Sequence, residues 1–155
     1  MDQNENQYPA RKKTRLVGYD YATPNYYFIT ICTHNKACIF GSNQRLNPLG
    51  KIAEQGFATV TAHFSSVQIH KFVVMPNHVH AIVILNDDDI KLNTVVGNYK
   101  AYVTREIHRL DANLEVWQRS FHDHIIRNQA GYEKIWNYID GNPMKWEDDC
   151  FYPNL

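Results

Sequence analysis

Two strand-like runs joined by a short turn constrain the fold of this chain more than any other feature. Residues 67–75 (VQIHKFVVM) and 79–85 (VHAIVIL) are rich in β-branched and apolar residues, which is typical of strands in a packed sheet. Met75, Pro76, Asn77 and His78 stand at the junction, and proline and asparagine both favour a turn. The sequence therefore predicts a β-hairpin in the middle of the chain.

The patterns of apolar residues on either side of this hairpin predict a further strand and three helices. Residues 26–33 (YYFITICT) predict an earlier strand. Apolar residues recur at helical spacing over residues 48–64, 95–110 and about 131–140, so each of these segments predicts an amphipathic helix that covers a sheet. With a further segment that contains HDHIIR, this order predicts an α+β fold, a small antiparallel sheet of split-βαβ type covered by helices.

The length and the charge pattern divide the chain into an arm and one domain. Residues 1–15 are polar and have almost nothing to bury, which predicts a flexible basic arm, and residues 16–155 are the right length for a single domain. The 16 basic and 16 acidic residues cancel, so any DNA affinity must come from local patches. The candidate phosphate contacts are Arg11, Lys12, Lys13, Lys100, Arg105, Arg119 and Arg127.

Cysteine usage and hydropathy indicate the cellular compartment of the protein. The three cysteines are widely spaced and form no Cys-x-x-Cys pair, which argues against a disulfide framework or a thiolate zinc site and favours a reducing cytoplasm. No apolar run approaches the roughly 20 residues of a membrane span, and the start of the chain lacks the apolar core of a signal peptide. We therefore expect a cytoplasmic protein with no membrane partner.

A His-x-His pair at the start of the second hairpin strand is a candidate metal site. His78 and His80 are two residues apart, and because strand side chains alternate, both imidazoles point to the same face. A third ligand is needed, and Asn142 is a candidate because it follows Tyr138 by four residues and would share a helix face with it. Pro143 disfavours helical geometry at Asn142, so Asn142 either sits just past the helix end or serves only as a cap.

Five segments together carry a resemblance to a known family. They are GYDY at 18–21, YFITICTHN at 27–35, VVMPNHVHAIVIL at 73–85, RSFHDHIIRN at 119–128 and YEKIWNYIDGNPMKW at 132–146. This combination resembles the REP-associated tyrosine transposases, which belong with the transposases of single-strand insertion sequences to the single-tyrosine His-hydrophobic-His endonucleases. The two-part signature of PNHVH followed by YI-x-x-NP is much more specific than either half.

The resemblance implies a ferredoxin-like core, a reaction and a set of site residues. His78 and His80 would bind Mg²⁺ or Mn²⁺, Asn142 would be the third ligand, and Tyr138 would be the nucleophile. Such enzymes cleave single-stranded DNA, often beside a hairpin, through a 5′-phosphotyrosine intermediate that leaves a free 3′-OH. His122 and Asp123 stand in the family's HDH segment, where they either support the structure or orient the DNA or the tyrosine-bearing helix.

The residues alone leave two other functions open. A non-catalytic nucleic-acid-binding module would stack bases on sheet aromatics and would not need Tyr138. A metal-dependent nuclease would activate water at His78 and His80 and leave no covalent product. The sequence also leaves open whether the chain acts as a monomer or as a homodimer in which Tyr138 serves the partner's metal.

Overall fold

The computed structural model describes residues 25–42 and 45–153, so the predicted arm with Arg11, Lys12 and Lys13 lies outside the described residues. Three helices and six strands form this part of the chain, with short 3₁₀ helices at His34–Lys36 and Pro143–Asp148. In chain order they are β1 (Asn25–Cys32), β2 (Gly41–Ser42), β3 (Arg45–Leu46), α1 (Pro48–His63), β4 (Val67–Met75), β5 (His78–Leu85), α2 (Leu92–His108), β6 (His122–Ile125) and α3 (Gln129–Gly141).

The main sheet has four antiparallel strands in the order β4-β5-β1-β6. β4 and β5 form the predicted hairpin, in which Met75 pairs with His78 and only Pro76 and Asn77 make the turn. β1 separates β5 from the short edge strand β6. With α1 and α2 as the connections, this order is the split-βαβ, ferredoxin-like arrangement. The predicted α+β fold is confirmed.

Both faces of the sheet are covered, and the two faces have different roles. Alternate residues of β5, among them Val79 and Ala81, join the large core that packs against α1 and α2. The residues between them, among them Ile82, belong to a smaller cluster that packs against α3. Burial on both faces explains why every residue of β5 is buried. His78 and His80 are separated from Ile82 by an even number of residues along β5. Their side chains therefore point to the same face as Ile82, the α3 side of the sheet.

α3 fixes the position of the predicted nucleophile and third ligand. It begins at the cap residue Asn128, whose side chain accepts a hydrogen bond from Gly131 N at 2.8 Å. Asn142 is the residue just past its end, with helical φ and ψ of −60° and −44° and no side-chain cap hydrogen bond. Asn142 thus sits just past the helix end, one of the positions that Pro143 predicted, and it keeps helical dihedral angles because Pro143 opens the next 3₁₀ helix at a position that tolerates proline.

Two expectations from composition can be compared with the described part of the chain. Cys32, Cys38 and Cys150 are all free thiols, in agreement with the absence of a disulfide framework. Of the helices in the described ranges, none is both long enough and apolar enough to cross a bilayer.

Candidate metal and tyrosine site

The two histidines of the predicted pair lie side by side in the interior. Their ring centroids are 4.6 Å apart, and His78 and His80 are 0% and 2% exposed. The Nε2 atom of each ring is buried and forms no hydrogen bond with any described residue. Because a buried polar atom without a partner costs free energy, two such atoms side by side are suited to hold a ligand between them.

Hydrogen bonds to the opposite ring nitrogens orient both imidazoles. His78 Nδ1 lies 2.8 Å from the side-chain oxygen of Asn77, and His80 Nδ1 lies 2.9 Å from Thr30 Oγ1. The Asn77 amide nitrogen donates to the carbonyls of Lys36 and Phe151, so the amide oxygen is the atom that faces His78. His78 Nδ1 must then carry the proton, which leaves the Nε2 lone pair available to a cation.

Both imidazoles are held in the neutral form that binds metals. Burial, together with the neighbouring His80, lowers the pKa of His78 to about 2. Burial lowers the pKa of His80 to about 4, against a backbone hydrogen bond with Ile29 that raises it. At neutral pH neither ring needs to release a proton before it can bind a cation.

Asp149 is an oxygen donor beside this pair that the sequence analysis missed. Its Oδ2 atom lies 3.9 Å from His78 Nε2, and its side chain is 1% exposed. One ligand atom from each of His78, His80 and Asp149 lies within 4.8 Å of the others. The other carboxylate oxygen accepts a hydrogen bond from Phe151 N at 2.8 Å, which fixes the carboxylate. In the sequence this residue ends an acidic run, EDD, that looks like a solvated surface.

Asn142 supplies a second oxygen at the same place. It is 3% exposed, and its Oδ1 is buried without a hydrogen-bond partner among the residues described. Its amide raises the pKa of His78 and lowers the pKa of Tyr138, so it lies between these two side chains. Two imidazole nitrogens and one carboxylate oxygen therefore lie within 4.8 Å of one another, and the buried amide of Asn142 is next to His78. This donor set fits a divalent cation such as Mn²⁺ or Mg²⁺.

Tyr138 lies at the open side of this cluster. It is 43% exposed, and its ring centroid is 5.3 Å from that of His80 and 6.1 Å from that of Phe28. Burial raises the pKa of its phenol, the Asp149 carboxylate raises it further, and Asn142 acts in the opposite direction. The phenol is thus next to the candidate ligands and still accessible to a substrate.

The predicted phosphate contacts are placed in different parts of the molecule. Lys100 and Arg105 belong to α2, on the other side of the sheet, where Lys100 Nζ donates to the carbonyls of Gln118 and Ser120 and Arg105 pairs with Glu106. Arg119 is exposed before β6, and His122 and Arg127 are exposed at the start of β6 and just after it. Among the described candidates, His122 lines a cavity together with Tyr138, whereas Arg127 lines a separate one beside Tyr132. DNA contact remains a prediction for all of them.

Comparison with known sequences decides the family. Residues 21–142 match the family described as Transposase IS200 like. The chain belongs to this family. This IS200-like transposase is also 35% identical over 167 residues to a Haemophilus influenzae protein of uncharacterised function, an alignment that covers 92% of this chain and 93% of that protein. The resemblance to tyrosine transposases is confirmed.

Solved structures show the same fold. A REP-associated tyrosine transposase bound to a REP hairpin matches with a TM-score of 0.66 at 21% identity, over 85% of this chain and 74% of that chain. A proposed transposase from Deinococcus radiodurans matches with a TM-score of 0.56 at 14% identity, over 82% of this chain and 95% of that chain. The fold of this IS200-like transposase is therefore shared with DNA-processing relatives.

Proposed function

We propose that this IS200-like transposase is a metal-dependent enzyme that cleaves and rejoins single-stranded, hairpin-associated DNA through a 5′-phosphotyrosine intermediate on Tyr138. The observation that carries the proposal is the cluster of buried, partnerless atoms beside an accessible phenol. The cluster comprises Nε2 of His78, Nε2 of His80, Oδ1 of Asn142 and Oδ2 of Asp149. The hairpin bound by the structural relative supports DNA as the partner.

These four side chains would hold the cation, Mg²⁺ or Mn²⁺. A bound divalent cation polarises a phosphate oxygen and stabilises a phenolate. The two nitrogen donors suit Mn²⁺ at least as well as Mg²⁺, which prefers oxygen ligands and retained waters. Asp149 adds the negative charge that three neutral ligands would lack, so we propose it as a ligand beside Asn142.

Tyr138 performs the chemical step. Its phenol oxygen attacks the scissile phosphorus, and the bond from phosphorus to the 3′ oxygen breaks. The phenol loses its proton and the departing 3′ oxygen gains one, which leaves a 5′-phosphotyrosine and a free 3′-OH. Because the new ester keeps the energy of the phosphodiester, a 3′-OH can later attack it and rejoin the strand without a nucleotide cofactor.

The geometry favours action within one chain. Tyr138 and His80 of the same chain are already in ring contact, with centroids 5.3 Å apart. A partner subunit is therefore not needed to bring the phenol to the histidines. We propose that Tyr138 acts at the metal of its own chain.

Denaturing electrophoresis tests this function against its alternatives. Labelled hairpin DNA with single-stranded flanks, taken from the DNA around the gene, is incubated with protein and Mn²⁺, with a chelator in the control. A covalent protein–DNA band that requires Mn²⁺ is expected. Cleavage without such a band would instead identify a nuclease that uses water, and DNA binding without cleavage would identify a non-catalytic module.

A further inference from the structure

A cavity opens beside Tyr138, between the edge strand β6 and α3. Its volume is about 590 Å³, which is within the range of small-ligand sites. Tyr138 stands at one end of it, and the cavity continues along α3 towards Gly131. None of the four candidate metal ligands lines this cavity, so it is a neighbour of the metal cluster and not a part of it.

The walls of this cavity combine flat apolar surface with polar groups. Phe28 and Ile135 form apolar walls. The polar side chains that line the cavity with Tyr138 are Thr30, His122, Asp123, His124 and Lys134. The strand register explains how these groups meet, because Phe28 pairs with His124 and Thr30 with His122. Paired residues of neighbouring strands point to the same face, which is the face that carries His80.

Phe28 connects the cavity to the candidate metal cluster. Its ring stacks on His80 with centroids 5.1 Å apart and an interplanar angle of 28°. The rings of His124 and Tyr138 meet it edge-on, with centroids 6.3 Å and 6.1 Å away. A group that packs on these walls would therefore lie directly next to a phosphate attacked by Tyr138.

The polar atoms of the cavity are available to a ligand. Among the described residues, Lys134 makes no ion pair and neither His122 nor His124 has a hydrogen-bond partner, and all three side chains are exposed. A lysine ammonium can only donate hydrogen bonds, whereas an imidazole can donate or accept. Together they suit a flat ligand with carbonyl acceptors on its edge.

We infer that this cavity binds an unpaired base of the substrate strand, next to the phosphate that Tyr138 attacks. The inference rests on the proposed function and adds to it a base-binding subsite. Phe28 and Ile135 pack against the base, and Lys134 and His124 bind its edge. Because a carbonyl oxygen is a stronger acceptor for the Lys134 ammonium than a ring nitrogen, thymine, guanine and cytosine, which carry carbonyls, bind better than adenine, which carries none. A base held in a duplex cannot enter, so the subsite selects single strands.

Binding without chemistry tests the subsite. Tyr138→Phe protein, in chelator, is titrated with labelled oligo(dT), oligo(dA) and an abasic strand of the same length. We expect oligo(dT) to bind about tenfold more tightly than the abasic strand, with oligo(dA) in between. Equal affinities for oligo(dT) and the abasic strand would overturn the inference.

Substitutions in the cavity test whether the base binds there. His124→Trp adds a bulky ring at an exposed strand position and should fill the cavity, so the preference for oligo(dT) over the abasic strand should fall below about threefold. Lys134→Ala should remove the preference for oligo(dT) over oligo(dA). The control Lys51→Ala, on α1 behind the sheet, should keep both preferences. An unchanged base preference in His124→Trp, or an equal loss for all three strands in Lys134→Ala, would contradict the subsite.

The covalent adduct assay separates this inference from the proposed function. Suppose that the wild-type protein forms the adduct, but that it has no base preference or that His124→Trp leaves this preference unchanged. The subsite is then wrong and the enzyme assignment stands. If the base preference maps to the cavity but no adduct forms, the subsite stands and the tyrosine chemistry is wrong.

Discussion

Oδ2 of Asp149 lies 3.9 Å from Nε2 of His78, and both side chains are almost wholly buried. This contact is not an ion pair, because burial lowers the pKa of His78 to about 2 and keeps the ring neutral. Nor is it a hydrogen bond, since both atoms are without a partner in the described structure. Two unpartnered ligand atoms that face each other in this way could hold one cation between them, as we propose.

Removal of the proposed ligands should weaken Mn²⁺ binding in a graded manner. His78→Ala and His80→Ala should abolish measurable binding and cleavage, and Asp149→Asn should lower the affinity by about tenfold or more. Isothermal titration gives the affinities, and Asp148→Asn, an exposed neighbour, is the matched control. Unchanged binding in both histidine variants would refute the site. Unchanged binding in Asp149→Asn alone would leave Asn142 as the third ligand.

Asn77 should influence metal binding although it does not face the cation. Asn77→Ala removes the oxygen that holds His78 Nδ1, so Mn²⁺ affinity should fall by about tenfold. Loss of the hydrogen bonds to Lys36 and Phe151 should lower the free energy of unfolding by about 2 kcal/mol. Asn77→Asp keeps the oxygen and loses the two donors, and it should restore metal binding more than stability. If Mn²⁺ affinity and the free energy of unfolding fell together to the same extent in both variants, Asn77 would not act by orienting His78.

Tyr138→Phe should separate binding from chemistry. The substitution removes one oxygen and keeps the ring, so stability, Mn²⁺ binding and DNA affinity should change little, whereas the covalent adduct should disappear. Tyr132→Phe is the matched control, because the Tyr132 hydroxyl is engaged with His70 Nδ1 at 2.9 Å, away from the metal cluster. Adduct formation by Tyr138→Phe would show that another tyrosine is the nucleophile.

The metal-free protein should lose stability in mild acid. His78 and His80 have pKa values of about 2 and about 4, below the ordinary value of 6.5. As the pH falls below 6.5, these two histidines therefore bind protons in the unfolded chain but not in the folded chain. Each histidine should cost about 2 kcal/mol between neutral pH and about pH 5, and nothing above neutrality.

Urea unfolding in chelator, as a function of pH, measures this loss. The double variant His78→Gln/His80→Gln should show a much shallower dependence of the free energy of unfolding on pH over the same range. Parallel curves for the two proteins would mean that other groups account for the acid sensitivity.

The basic arm should contribute to DNA affinity through phosphate contacts. Replacement of Arg11, Lys12 and Lys13 by alanine should reduce the slope of log affinity against log salt by up to about 2 for single-stranded DNA, because fewer counterions are released. Replacement of Arg45, Lys51 and Lys91 by alanine removes the same three charges elsewhere and is the control for the change in net charge. A slope that stays the same would make the arm a tail without a role in binding.

Local periodicity predicts the three helices and the strands β1, β4 and β5, but not the short strands β2, β3 and β6. The hairpin over residues 67–85 and the helices around it follow from alternation and from 3.6-residue spacing, which depend only on neighbours in the chain. The common face of His78 and His80 follows from the same alternation. The involvement of Tyr138 and Asn142 came from their motif, since spacing alone could not distinguish one tyrosine from nine others.

Tertiary structure decided which distant residues meet at that face. Asp149 reaches His78 because the chain turns back after α3 through the 3₁₀ helix Pro143–Asp148, and no periodic signal in the sequence records that return. Lys100 resembled a phosphate contact, but its ammonium is bound to the carbonyls of Gln118 and Ser120. The cavity beside Tyr138 likewise exists only because β6 pairs with β1 under α3. Secondary structure is a property of near neighbours, whereas a site depends on contacts between residues far apart in the chain.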